Sequence, residues 1–320
     1  ETGFGREFID PARILRPFVG LDAPKPAVDL ELLLGLLGDG PHALDFKQLV
    51  LKDKLQPLRV LASAPERGQA KVLSRLSGSW HSLKELLECL RASALVPGIC
   101  GANPVCIHER RIEDEPSVRN WKSIIAGWGS RKKHADQRAE KTPLIDALFF
   151  EPLPYRSALS DGCTHVLVLR TVKDGTRVSP TQGFFDVNFE DMVYRSFARS
   201  NNLDKMVAHV EDSEHTRIYV EDILRLNEEA ARFDDDKVPG NRLLSSRRRL
   251  QLRQLLPARI MSVALQPDDP AIAPLELKRA RLLEGTAHGY ARAYSALAEE
   301  LSERNLQSGL KQARMVLPEE

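Results

Sequence analysis

Hydrophobic and polar positions change their period several times along this chain, and each change marks an element. Leu83, Leu86, Leu87, Leu90 and Ala94 recur at helical spacing behind a Ser82-x-x-Glu85 capping box, which predicts an amphipathic helix stopped by Pro97-Gly98. Residues 29–37 place leucines on several faces behind an N-cap aspartate, Asp29, predicting a short buried helix closed by Gly38-Asp39-Gly40. Helical periodicity returns at 189–199, 204–211, 216–231 and 275–301, the last with a hinge expected at Gly285 or Gly289. Phe8-Ile9-Asp10-Pro11, followed by Ile14, Leu15 and Phe18, predicts a further helix entry. Residues 57–64, 69–73, 163–169 and 259–265 read instead as strands, rich in apolar and β-branched residues.

The segment from Pro143 to Arg170 carries the candidate chemistry. Asp146 interrupts the apolar run Leu144-Ile145 and Ala147-Leu148-Phe149-Phe150, and an ionisable group in such a run is costly unless it is paired or used. Pro152 and Pro154 then suit a helix start, residues 155–160 a short helix, and Asp161-Gly162 its end. Residues 163–169 (CTHVLVL) read as a fully buried parallel strand, with His165 as a core histidine.

These residues resemble the C-terminal half of the patatin-like phospholipases. The resemblance is carried by Asp146, by Pro154-Tyr155-Arg156-Ser157-Ala158 and by the run from Asp161-Gly162-Cys163 to Leu169. A second block, Leu90-Arg91-Ala92-Ser93-Ala94-Leu95-Val96-Pro97-Gly98, stands upstream in the matching order, and a weaker similarity runs from Phe8 to the segment around Gly285–Tyr290. The resemblance implies an α/β fold in three layers, with a mostly parallel sheet between helices. Residues 1–170 would form the C-terminal part of that domain, and 171–320 a mostly helical extension with one returning strand near 259–265.

The same resemblance implies a serine acyl hydrolase acting on glycerolipid or phospholipid, with Asp146 as general base, no histidine in the dyad and no cofactor. A serine hydroxyl is a weak nucleophile until an adjacent base takes its proton, and a carboxylate in an apolar pocket can be tuned to that task. The family holds its serine in a Gly-x-Ser-x-Gly turn. Ser63, Ser77, Ser79, Ser93, Ser130 and Ser157 all lack the flanking glycines, and a glycine-rich oxyanion loop is missing too. Ala147 and Leu148 also stand where the family has glycine or alanine. The first methionine is Met192, so the nucleophile is expected upstream of Glu1, in a longer protein. The alternative is a catalytically inactive lipid-surface or scaffold module.

Composition narrows the remaining classes. In 320 residues, 46 Lys and Arg nearly cancel 45 Asp and Glu, and the net charge of +1 argues against a nucleic-acid partner. No run of about eighteen apolar residues predicts a membrane-spanning helix, and no signal peptide is visible, so an intracellular chain, cytoplasmic or peripheral to a membrane or lipid droplet, is expected. Residues 105–142 read as a charged surface insertion: a solvated loop whose Trp121 and Trp128 tuck against the domain, or a lipid interface formed by them beside Arg131-Lys132-Lys133-His134. The arginine-rich stretch 243–257 would suit anionic headgroups or a solvated helix face. Cys89, Cys100, Cys106 and Cys163 fit no zinc spacing and read as buried thiols, and the scattered histidines fit no metal hydrolase. Cys163 as a nucleophile assisted by His165 is disfavoured because the pair is expected to be buried. Gly35, Gly38 and Gly40 have the wrong spacing for a phosphate loop.

Overall fold

The computed structural model describes residues 26–39, 43–108, 141–173, 187–233, 259–270 and 278–297, with a few isolated positions besides. Its elements are of the mixed α/β class. The contacts divide the chain into two compact units. One comprises residues 11–150 and 193–209, the other 1–10, 151–192 and 210–320.

The first unit is built on helix α1 (Leu30–Gly38), α2 (Phe46–Asp53), strands β1 (Val60–Ala64) and β2 (Gln69–Leu73), α3 (Leu83–Ala94), and strands β3 (Val105–His108) and β4 (Lys141–Leu144). Helix α2, capped by Asp45, has no counterpart in the predicted elements. β1 and β2 form an antiparallel hairpin, turned at Gly68, whose φ of 67° suits glycine. β3 and β4 pair antiparallel from Val105↔Leu144 to His108↔Lys141. The expected insertion therefore has a laddered base, while its tryptophans and basic run lie outside the described residues. Ile145, just beyond β4, exchanges both backbone hydrogen bonds with Ser63 of β1, at 2.9 and 3.0 Å.

Helix α3 begins with the expected capping box and buries Leu86, Cys89 and Ala92 against the strands. α1 is capped by Asp29 as expected, but only its Leu30 is buried; Leu32 and Leu36 face water, so the helix is a surface one.

The second unit contains α4 (Tyr155–Ser160), β5 (His165–Leu169), α7 (Glu214–Phe233), β6 (Arg259–Val263) and α8 (Arg279–Leu297). Helices α5 (Val187–Ser200) and α6 (Asp204–Glu211) each straddle the division, with residues 193–200 and 204–209 in the first unit. β5 runs parallel to β6, from His165↔Arg259 to Leu169↔Val263. That ladder puts residues 151–170 in the same compact unit as β6.

Three expectations are corrected here. The described strands form three two-stranded sheets, two antiparallel and one parallel, in place of one mostly parallel sheet. β5 is not fully buried: Val168 and Arg170 point into a core with Tyr155, Leu226 and Ile260, whereas Leu167 and Leu169 are 47% and 66% exposed. One covered face gives a two-residue period of burial that the uniformly apolar sequence concealed. His165 is on the exposed side, so it is no core histidine. Finally, α8 runs unbroken through Gly285 and Gly289; Gly285 serves close packing, because a Cβ there would lie 2.7 Å from Ile272 Cγ1. No helix among the described residues is long and apolar enough to cross a membrane, and the stretch 243–257 lies outside them.

Candidate active site

Asp146 sits where β4 leaves its ladder. Ile145 is tied to β1, the Asp146 N–H donates to the Leu95 carbonyl at 3.0 Å, and the chain then closes a 3₁₀ turn over Ala147–Phe149. The Asp146 Oδ1 accepts the Leu148 N–H at 2.8 Å and so caps that turn. Ala147 and Leu148, which replace the expected glycine, are accommodated because a 3₁₀ turn needs no positive φ. Oδ2 has no hydrogen-bond partner among the described residues.

Burial pushes the Asp146 carboxyl up from 3.8 to about 6, the Leu148 N–H only partly opposing it. The neighbouring Cys100 thiol is pushed up to about 11, first by its own burial and further by the charge of Asp146, while the Val96 backbone opposes. Cys100 is therefore a protonated, inert companion at neutral pH.

The turn is held from the far side. The His209 Nε2–H donates to the Phe149 carbonyl at 2.8 Å, and its ring lies 4.4 Å from that of Phe150. Phe149, fully buried, meets Tyr194 edge to face at 5.0 Å. None of these partners was legible from spacing, since Tyr194 and His209 join Asp146 only through the tertiary fold.

Ser63 is the serine nearest in the ladder. It is fully buried, and among the described residues its hydroxyl has no hydrogen-bond partner, the Asp146 carboxylate included. Across the bridge Ser63 pairs with Ile145.

The other sequence candidates disperse. Cys106 and Cys163 are exposed rather than buried; Cys89 and Cys100 are buried as expected. His165, also exposed, pairs its Nδ1 with the Thr164 hydroxyl at 3.1 Å. Arg156 ion-pairs with Asp222 at 3.2 Å, and Arg170 donates to Ser262 and Asn227. In that second unit Asp222 is a further buried carboxylate, accepting the Tyr155 hydroxyl at 2.8 Å, and Glu151 accepts both the N–H and the hydroxyl of Ser157. Among the described residues no three His, Cys, Asp or Glu side chains come together as a metal-ligand set.

Comparison with known proteins adds no relative: no family model, curated protein or solved structure matches the chain.

Proposed function

We propose that this chain is the acid-bearing part of a patatin-like lipid acyl hydrolase. Asp146 is its general base, and the serine nucleophile comes from outside these 320 residues. The observation that supports this reading is the Asp146 carboxyl itself. One oxygen is anchored on a backbone N–H, the other carries no hydrogen bond among the described residues, and burial has brought its pKa to about 6. Such a group is mostly ionised at pH 7 yet basic enough to accept a proton from a serine hydroxyl.

In the first step the serine oxygen attacks the ester carbonyl carbon as its proton passes to Asp146. The C–O ester bond then breaks, and the departing alcohol takes that proton. Water repeats the sequence on the acyl-enzyme, with Asp146 again as base. Below pH 6 the base is protonated, so turnover falls on the acid side.

A second reading is favoured by one feature. Asp146 already has structural work as the cap of the 3₁₀ turn, which is what a non-catalytic lipid-surface or scaffold module would retain.

Ester hydrolysis separates the two. Residues 1–320 alone are expected to leave a short-chain acyl ester and phospholipid vesicles intact. A longer protein that supplies a Gly-x-Ser-x-Gly turn is expected to hydrolyse them, with kcat falling about 10²–10⁴-fold in Asp146→Asn. Full activity of the longer Asp146→Asn protein would remove Asp146 from the chemistry. Turnover by residues 1–320 that Asp146→Asn abolishes would instead place the nucleophile within this chain.

A further inference from the structure

We infer that His209 is a positioning residue for Asp146, acting through the Phe149 carbonyl. The inference rests on Asp146 being the proposed base, but its geometry stands independently of any turnover.

Asp146 is oriented by the turn that follows it, and that turn has few internal restraints. Within it the Leu148 N–H bond to the carboxylate and the Phe150 N–H bond to the Ala147 carbonyl, at 3.2 Å, close the backbone. A three-residue 3₁₀ turn is too short to persist on such bonds alone. Beyond the Asp146 N–H bond to the Leu95 carbonyl, two contacts hold it from outside. Phe149 is packed beneath Tyr194, which fixes the side chain, and His209 of α6 donates to the Phe149 carbonyl at 2.8 Å, which fixes the peptide plane. The His209 ring also packs against the Phe150 ring, 4.4 Å between centroids.

Because a carbonyl can only accept, His209 must carry its proton on Nε2 in the neutral form. This tautomer keeps the contact whether or not the ring is charged, so the strut persists across neutral pH. Its consequence is at the carboxylate: with the turn pinned, the Asp146 side chain stays half-buried. With the turn released, water reaches it. Loss of burial then lowers its pKa more than loss of the Leu148 N–H raises it, since burial is the larger influence. The neighbouring Cys100 thiol stays protonated throughout and adds no charge of its own.

The experiment follows the Asp146 carboxyl in residues 1–320 by ¹³C NMR titration, with its signal assigned by loss in Asp146→Asn. A midpoint near 6 is expected for the unsubstituted chain. In His209→Ala it is expected to fall towards 3.8, while His209→Gln, whose side-chain amide N–H can meet the same carbonyl, restores a midpoint near 6. In the unsubstituted protein ¹⁵N NMR of the imidazole is expected to show the proton on Nε2, a reading that needs no variant to fold. An unchanged midpoint in His209→Ala, a midpoint in His209→Gln as low as in the alanine variant, or an unprotonated Nε2 would each overturn the inference. Retained turnover in Asp146→Asn would sink the hydrolase reading alone, since the titration would still report whether His209 holds the turn.

Discussion

At the scale of single residues, Asp146 is the position at which stability and chemistry are expected to oppose each other. Its carboxyl has a higher pKa in the fold, about 6, than the ordinary 3.8. Between these values the unfolded chain has released its proton while the folded chain still holds it. Stability therefore falls as pH rises from about 3.8 to 6, and is level above that. The difference amounts to about 3 kcal/mol against the fold at pH 7, from 1.36 kcal/mol per pKa unit. Asparagine keeps an oxygen for the Leu148 N–H but carries no charge to desolvate. Asp146→Asn is accordingly expected to melt higher than the parent at pH 7, with the gain vanishing below about pH 4, as read by calorimetry across pH. A protein that loses stability at pH 7 on this substitution would mark the carboxylate as a structural cap and favour the non-catalytic module.

At the scale of elements, the turn after β6 shows how a segment with little local propensity is fixed. Asp269 is nearly buried and accepts four hydrogen bonds: from Gln266 N–H at 2.7 Å, His288 Nδ1–H at 2.9 Å, and Arg292 Nε–H and Nη2–H at 2.8 and 3.0 Å. Lys173 adds bonds to the carbonyls of Pro267 and Asp269, so three segments meet at one turn. Burial alone would raise the Asp269 pKa, but the Arg292 fork, the Gln266 N–H and His288 outweigh it and hold the group down to about 2. The stabilisation is thus present above about pH 4 and lost as pH falls through 2. Asp269→Ala strands Arg292 and His288 and is expected to cost about 3 kcal/mol at pH 7, measured by denaturant unfolding. A loss below about 0.5 kcal/mol would show that helix α8 is held by packing such as Ile272 on Gly285 instead.

The same scale shows what the sequence could and could not convey. Local hydrogen-bonding signals survive folding, so the Asp29 cap, the Ser82–Glu85 box and the extents of α4 and α6 were legible within a residue or two. Helix α2 was missed although Asp45 caps it, because its exposed Lys47, Gln48 and Lys52 weaken the apolar period. Asp146 could be singled out because a charge stood in an apolar run. Leu95, which accepts its N–H, and Tyr194 and His209, which meet Phe149, come from distant segments, and no spacing rule brings them together.

At the scale of the whole molecule, the apolar composition of β5 is only half satisfied. Its inward residues, Val166, Val168 and Arg170, meet β6 and helix α7, while His165, Leu167 and Leu169 stand on the exposed side. Among the described residues this strand has a single ladder partner, and parallel ladders are ordinarily covered on both faces. A short uncharged strand with exposed leucines favours strand pairing between copies. A net charge of only +1 at pH 7 does little to keep copies apart. The expected behaviour is limited solubility that originates at this face rather than in a weak core. Replacing Leu167 and Leu169 together by lysine places charge on the exposed side without touching Val168 or Ile260. The double variant is expected to reach a severalfold higher soluble concentration by static light scattering, while its unfolding free energy shifts by no more than about 1 kcal/mol. If the saturation concentration does not move, self-association must arise elsewhere, and the exposed leucines of α1 and α2 become the next surface to charge.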